Sequence, residues 1–118
     1  MNLQTAVAVV ILTTLAGLAD AQGFVHAGRV WTTTGIDYVA ALLATIGFTS
    51  SVPCYLFAIR FLTAGGVHAV EIQTACWFVA TMVGVAIAGG NFLRWNIIDQ
   101  AVALVVVGGV IWLVMRTG

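Results

Sequence analysis

One carboxylate in this chain stands where a carboxylate is expensive. Asp20 follows Thr13 and Gly17 at helical spacing, so a hydroxyl, a glycine and an acid line one face of an apolar run. An acidic side chain inside lipid costs about 2.5–3.5 kcal/mol on insertion scales and marks function by default. Buried between helices, such a group could exchange a proton against a cation. Close to the end of the run, it would instead be hydrated or paired with Arg29. Three further side chains offer related chemistry. Glu71 could place a carboxylate at a pocket mouth, Trp77 could stack on a cation, and Thr14 adds a second hydroxyl beside Thr13.

Four apolar runs must position these groups. A helix needs roughly 20 mainly apolar residues to cross a hydrocarbon core, and windows at about 3–25, 36–61, 68–90 and 96–115 meet that requirement. The chain is 62% hydrophobic and 7% charged, against about 25% charged in ordinary soluble domains, so no polar shell is available. Runs such as Ala101 to Val107 are apolar on every side, which argues against the alternation of a barrel strand. The expected fold is an all-α integral membrane protein: one domain of four transmembrane helices in a small antiparallel bundle. Met1-Asn2-Leu3-Gln4 lacks the basic start of a secretory signal, so the first helix is expected to be retained.

Details within the runs refine this picture. Gln22, His26 and Arg29 form a polar stripe at the end of the first helix, with Trp31 at the interface and a turn through Thr32 to Gly35. Pro53 frees the carbonyl of Thr49, and a kink is expected there, with neighbouring hydroxyls satisfying the freed group. Gly65-Gly66 makes a tight second turn. Arg60, His68 and Glu71 gather around it, as an interfacial ion network or as a gate. Gly108-Gly109 offers a face for close helix packing in the fourth run.

Charge fixes no orientation. The second connection and the C-terminus hold Arg60 and Arg116, while the first and third connections hold Arg29 and Arg94. Two against two is compatible with insertion both ways and an antiparallel dimer, or with an orientation imposed by a partner. The composition also excludes several functions. No Ser/His/Asp constellation, HExxH motif, phosphate loop or CxxCH site is present, so neither enzyme activity nor a cofactor is expected. Cys54 and Cys76 lack ligand spacing and act most simply as small hydrophobes. His26 and His68 fall on opposite membrane faces, which leaves no metal site, and nucleic-acid binding has no basic patch.

Four short helices, a polar first-helix face and a glycine-bearing fourth helix resemble the small multidrug resistance proteins of the drug/metabolite transporter superfamily. Ala75-Cys76-Trp77 resembles that family's third-helix pattern. Gly89-Gly90-Asn91-Phe92-Leu93 resembles the superfamily's glycine-to-leucine turn, and Gly108-Gly109-Val110 its last-helix glycine. The family's first-helix glutamate lies three positions before a glycine. Gly17 supplies the glycine here, but Thr14 occupies the glutamate position, so Asp20 or Glu71 would have to take over its work. The family's lysine after the first helix is also absent.

The resemblance implies a small transporter subunit in the bacterial inner membrane, dimeric and alternating access around a small amphipathic or cationic solute. Asp20, Glu71 and Trp77 would define the pocket, with Thr13, Thr14 and Gly17 lining it. The alternative is a non-catalytic accessory subunit of a larger membrane complex, held through its small-residue faces. Either way the partners are the bilayer and another membrane protein, homologous or not.

Overall fold

A computed structural model describes residues 1–117. Its helices are α1 (Leu3–Ala27), α2 (Tyr38–Ala64), α3 (Val70–Gly89) and α4 (Ile97–Thr117), with a 3-10 turn at Phe92–Arg94. All four are long and apolar enough to cross a membrane. Their bounds fall within two or three residues of the apolar runs, and side-chain caps set the starts of α1, α2 and α4, while α3 starts at Ala69 without one. Asn2 accepts from the Thr5 amide at 2.8 Å and Asp37 from the Ala40 amide at 3.1 Å, satisfying donors that a helix start leaves open. Asn96 does the same for the Ile98 amide. Gly90, at φ +68, closes α3 in the left-handed conformation that glycine adopts without strain.

The first connection carries a feature that periodicity does not reveal. Trp31–Thr32 pairs antiparallel with Gly35–Ile36, and the Thr32 hydroxyl donates to the Gly35 carbonyl at 3.0 Å. Trp31 is exposed on this hairpin, as suits an interfacial anchor. In the second connection, the tight glycine turn is tied by a residue not singled out above. The Gln73 amide donates to the Val67 carbonyl at 2.8 Å and to the Thr63 hydroxyl at 3.2 Å. The expected network does not form there: Arg60, His68 and Glu71 are all exposed, and among the described residues none takes part in a side-chain hydrogen bond. Charges that can reach water gain little from a partner, whereas the buried amide must be satisfied.

α1 is the hub. It runs antiparallel to α2, with Phe24 edge-on to Phe48 and the Met1 side chain against Gly65 at the far end. It runs parallel to α3, since Gly17 meets Ala80 and Ala21 meets Gly84. Both crossings depend on missing side chains. A Cβ on Gly47 would sit 2.5 Å from the Gly23 nitrogen, and one on Gly17 would sit 2.6 Å from the Ala80 carbonyl carbon. Apolar helices in lipid gain their association from such close approach, not from leaving water.

α4 differs from the others. It lies mainly along α3, none of its described residues is buried, and only Val114 reaches the apolar cluster of Val9, Leu62 and Val67. Nothing lies within 4 Å of a Cβ built on Gly108 or Gly109, so the expected packing face on α4 is not used within the chain. Pro53 is exposed and α2 runs through it unbroken. The adjacent hydroxyls do not serve the carbonyl that proline frees: Ser50 donates to Ile46 and Ser51 to Phe48, where their own helical spacing directs them.

The two kinds of glycine should respond oppositely to substitution. Gly17→Val forces a branched side chain into the Ala80 backbone and should cost about 2–3 kcal/mol of stability in detergent unfolding. Gly108→Val meets open space and should stay within about 0.5 kcal/mol of the parent protein.

Candidate functional site

Asp20 lies seven residues before the end of α1, about 10 Å of helix rise inside it. It is 7% exposed and is the one ionisable side chain in the buried set among the described residues. Its neighbours there are Ser51 on α2 and Thr81 on α3, both almost fully buried. Asp20 is therefore neither hydrated at the end of the span nor paired with Arg29, which is exposed on the connection. The glycine contacts explain this placement: they draw α2 and α3 close enough to α1 for short hydroxyl side chains to reach the carboxyl.

The two hydroxyls serve Asp20 unequally. Thr81 donates to Oδ2 at 3.0 Å. Ser51 Oγ is 3.4 Å from Oδ1, but it is also 2.8 Å from the Phe48 carbonyl. A serine hydroxyl has one proton, and the shorter bond takes it. Oδ1 is left facing an oxygen with no short donor of its own. This is the chemical opening in the site: a proton or a cationic group placed at Oδ1 would complete its hydrogen bonding, and an apolar molecule would not.

One or two turns along the same helices lies an aromatic wall. Tyr55, four residues after Ser51, stacks on Trp77, four residues before Thr81, with ring centroids 4.3 Å apart. Phe78 lies nearly parallel to Trp77 at 6.3 Å. Since Tyr55 covers a face of the Trp77 ring, a cation could use that face only by displacing it; the stack serves as a wall. The Trp77 indole Nε1 and the Thr13 hydroxyl are buried without a hydrogen-bond partner. Such unpaired polar atoms are costly in an apolar setting, and both belong to the three-helix region that holds Asp20.

The remaining sequence candidates separate from this centre. Thr14 is exposed on α1, away from the buried face. The open side of Gly17 is filled by Ala80, so Gly17 acts there as a packing contact. Glu71 stands exposed in the first turn of α3, ten residues and about 15 Å of rise from Thr81. It therefore cannot share a ligand atom with Asp20. Ser51 and Thr81 were the residues that sequence reasoning missed. Ser51 sits in the Thr49-Ser50-Ser51 run beside Pro53, where three adjacent hydroxyls conceal which one faces inward. Thr81 shares a helical face with Trp77, and that spacing was the available signal. Cys54 and Cys76 are free thiols, and no group of side chains suited to a metal ion occurs among the described residues.

Comparison with known proteins finds no matching family, no matching curated protein and no matching solved structure.

The unequal hydroxyls give a direct test of the site's geometry. Thr81→Val removes the one short donor to Asp20 among the described residues and should cost about 1–3 kcal/mol in reversible unfolding. Ser51→Ala removes a bond made mainly to its own helix and should cost less. In a double-mutant cycle, Thr81→Val should couple to Asp20→Leu, and Ser51→Ala should couple weakly or not at all.

Proposed function

We propose that this chain is a small transporter subunit of drug/metabolite type, working as a dimer in the bacterial inner membrane. It moves a small amphipathic or cationic solute by alternating access. The observation that carries the reading is Asp20, an isolated buried carboxyl at the meeting of three helices, with Oδ1 lacking a short donor. A merely structural polar group would be satisfied by its neighbours, whereas an exchanging group needs a position to fill. The resemblance to small multidrug resistance proteins adds support if the acidic function has moved from the Thr14 position to Asp20. That shift is six residues, about 9 Å along the same helix. The balanced arginines fit a chain that inserts both ways and pairs with an inverted copy.

Asp20→Asn keeps the shape of the side chain and removes its ability to take up and release a proton. The variant should insert normally but lose pH-dependent binding of a small organic cation. Binding that varies with pH as in the parent protein would remove Asp20 from the mechanism.

A second reading is favoured by one observation. α4 has no buried residue and leaves Gly108 and Gly109 open, as a helix reserved for a larger assembly would. Labelling a C-terminal tag from each side of the membrane, together with the mass of the detergent-purified complex, separates the two. Two equal orientations in a dimer support transport; one orientation with larger co-purifying subunits supports the accessory role.

A further inference from the structure

The outer side of the α1–α2 pair carries a second feature. Gln22 and His26 lie on the side of α1 turned away from Gly17 and Ala21, the residues that meet α3. With Ala19 they form one wall of a groove of about 330 Å³, and Leu43, Ile46 and Ser50 stand on the wall from α2. The groove is polar at one end only. His26 lies in the last turn of α1 and Gln22 one turn further in. Arg29 continues their stripe onto the connection, where Trp31 marks the interface. At the deep end the Ser50 hydroxyl donates to the Ile46 carbonyl at 2.7 Å, so its proton is already spent. A polar mouth at headgroup level and an apolar floor among the acyl chains match the outline of a phospholipid.

Charge and size narrow the occupant. Among the described residues, no side-chain hydrogen bond engages Gln22, His26 or Arg29, so their donors are open. Asp37, at the far end of the same connection, is turned to the Ala40 amide that it caps. The dipole of α1 ends negative here, but that of the antiparallel α2 begins positive beside it, and the two offset. An anionic head therefore meets Arg29 without a competing acid. A choline or ethanolamine head would bring a second cation beside Arg29. A partner helix, about 10–12 Å across, would lie over a groove this small and not in it.

We propose that the α1–α2 groove binds one anionic phospholipid of the phosphatidylglycerol type. One acyl chain lies along Ala19, Leu43 and Ile46, and the phosphate accepts from the Gln22 amide and the His26 ring. Arg29 supplies the countercharge. The lipid bridges α1 and α2 from outside, on the opposite side of α1 from its contact with α3. Nothing in this site depends on Asp20, so it stands apart from the transporter reading.

The test uses the full chain, delipidated in detergent, and native mass spectrometry with dioleoyl phosphatidylglycerol as the probe. Binding should favour it over dioleoyl phosphatidylcholine by about fivefold, the worth of one surface cation against anionic lipid. Arg29→Gln should erase that preference. Arg94→Gln removes an exposed cation from the third connection, on the same membrane face, and should leave it intact. Ser50→Phe fills the apolar end from an exposed position and should weaken both lipids about tenfold, as expected when about two methylenes lose their cover. Leu43→Trp does this from the shallower end, should Ser50→Phe fail to fold. Glycerol phosphate, which has the head and no tail, should not displace the lipid.

Equal affinity of the parent chain for the two lipids would overturn the proposal. So would the same loss of preference in Arg94→Gln, which would mark diffuse surface charge. Displacement by millimolar glycerol phosphate would replace the lipid with a free-phosphate site. Unchanged lipid binding in a folded Ser50→Phe or Leu43→Trp chain would move the lipid out of the groove and overturn the proposal as well.

Discussion

A carboxyl group between helices must be supplied with donors by those helices, and that requirement organises this molecule. Asp20 is buried, and Thr81 and Ser51 approach it from α3 and α2. Their side chains are short, which sets a limit on how far apart the backbones can stand. Glycine at 17, 47 and 84 meets the limit by removing the atoms that would hold the helices apart. The polar centre and the small-residue contacts are thus one device, in which close packing brings the donors and the donors make the buried acid tolerable.

The same device leaves an imbalance. Three helices close around Asp20, yet one of its oxygens is served poorly because Ser51 spends its proton on its own helix. The aromatic pair Tyr55–Trp77 bounds the region along the helices, while Thr81 bounds it towards α4. The centre is therefore tight where the backbones cross and less complete at the atoms that matter chemically. Such a division suits a site that holds its frame while an occupant comes and goes.

Much of the helical layout was legible in the sequence, because hydrophobic length fixes spans nearly independently of tertiary contacts. Asp20 was legible as an anomaly, since charge in an apolar run is conspicuous. Its partners were not. Thr49, Ser50 and Ser51 differ only in azimuth around α2, and the sequence carries no polar face to set that azimuth when lipid surrounds the helix. The useful glycines were obscured for a similar reason. Gly108-Gly109 is the more conspicuous pair, but Gly47, which lacks any flanking motif, is where two backbones meet. The ion cluster around Arg60 failed on a different ground: sequence proximity brings charges together, but exposed charges have no need to pair.

The isolation of α4 has an evolutionary consequence. Both side chains hydrogen-bonded to the Asp20 carboxyl belong to α2 and α3, and no residue of α4 is buried. Within one chain, Val114 packs on the apolar cluster, and along the rest of α4 selection reduces to staying apolar and long enough, a demand that many sequences meet. Any finer conservation found there across relatives would record what lies outside the polypeptide, and would be a fossil imprint of its neighbours.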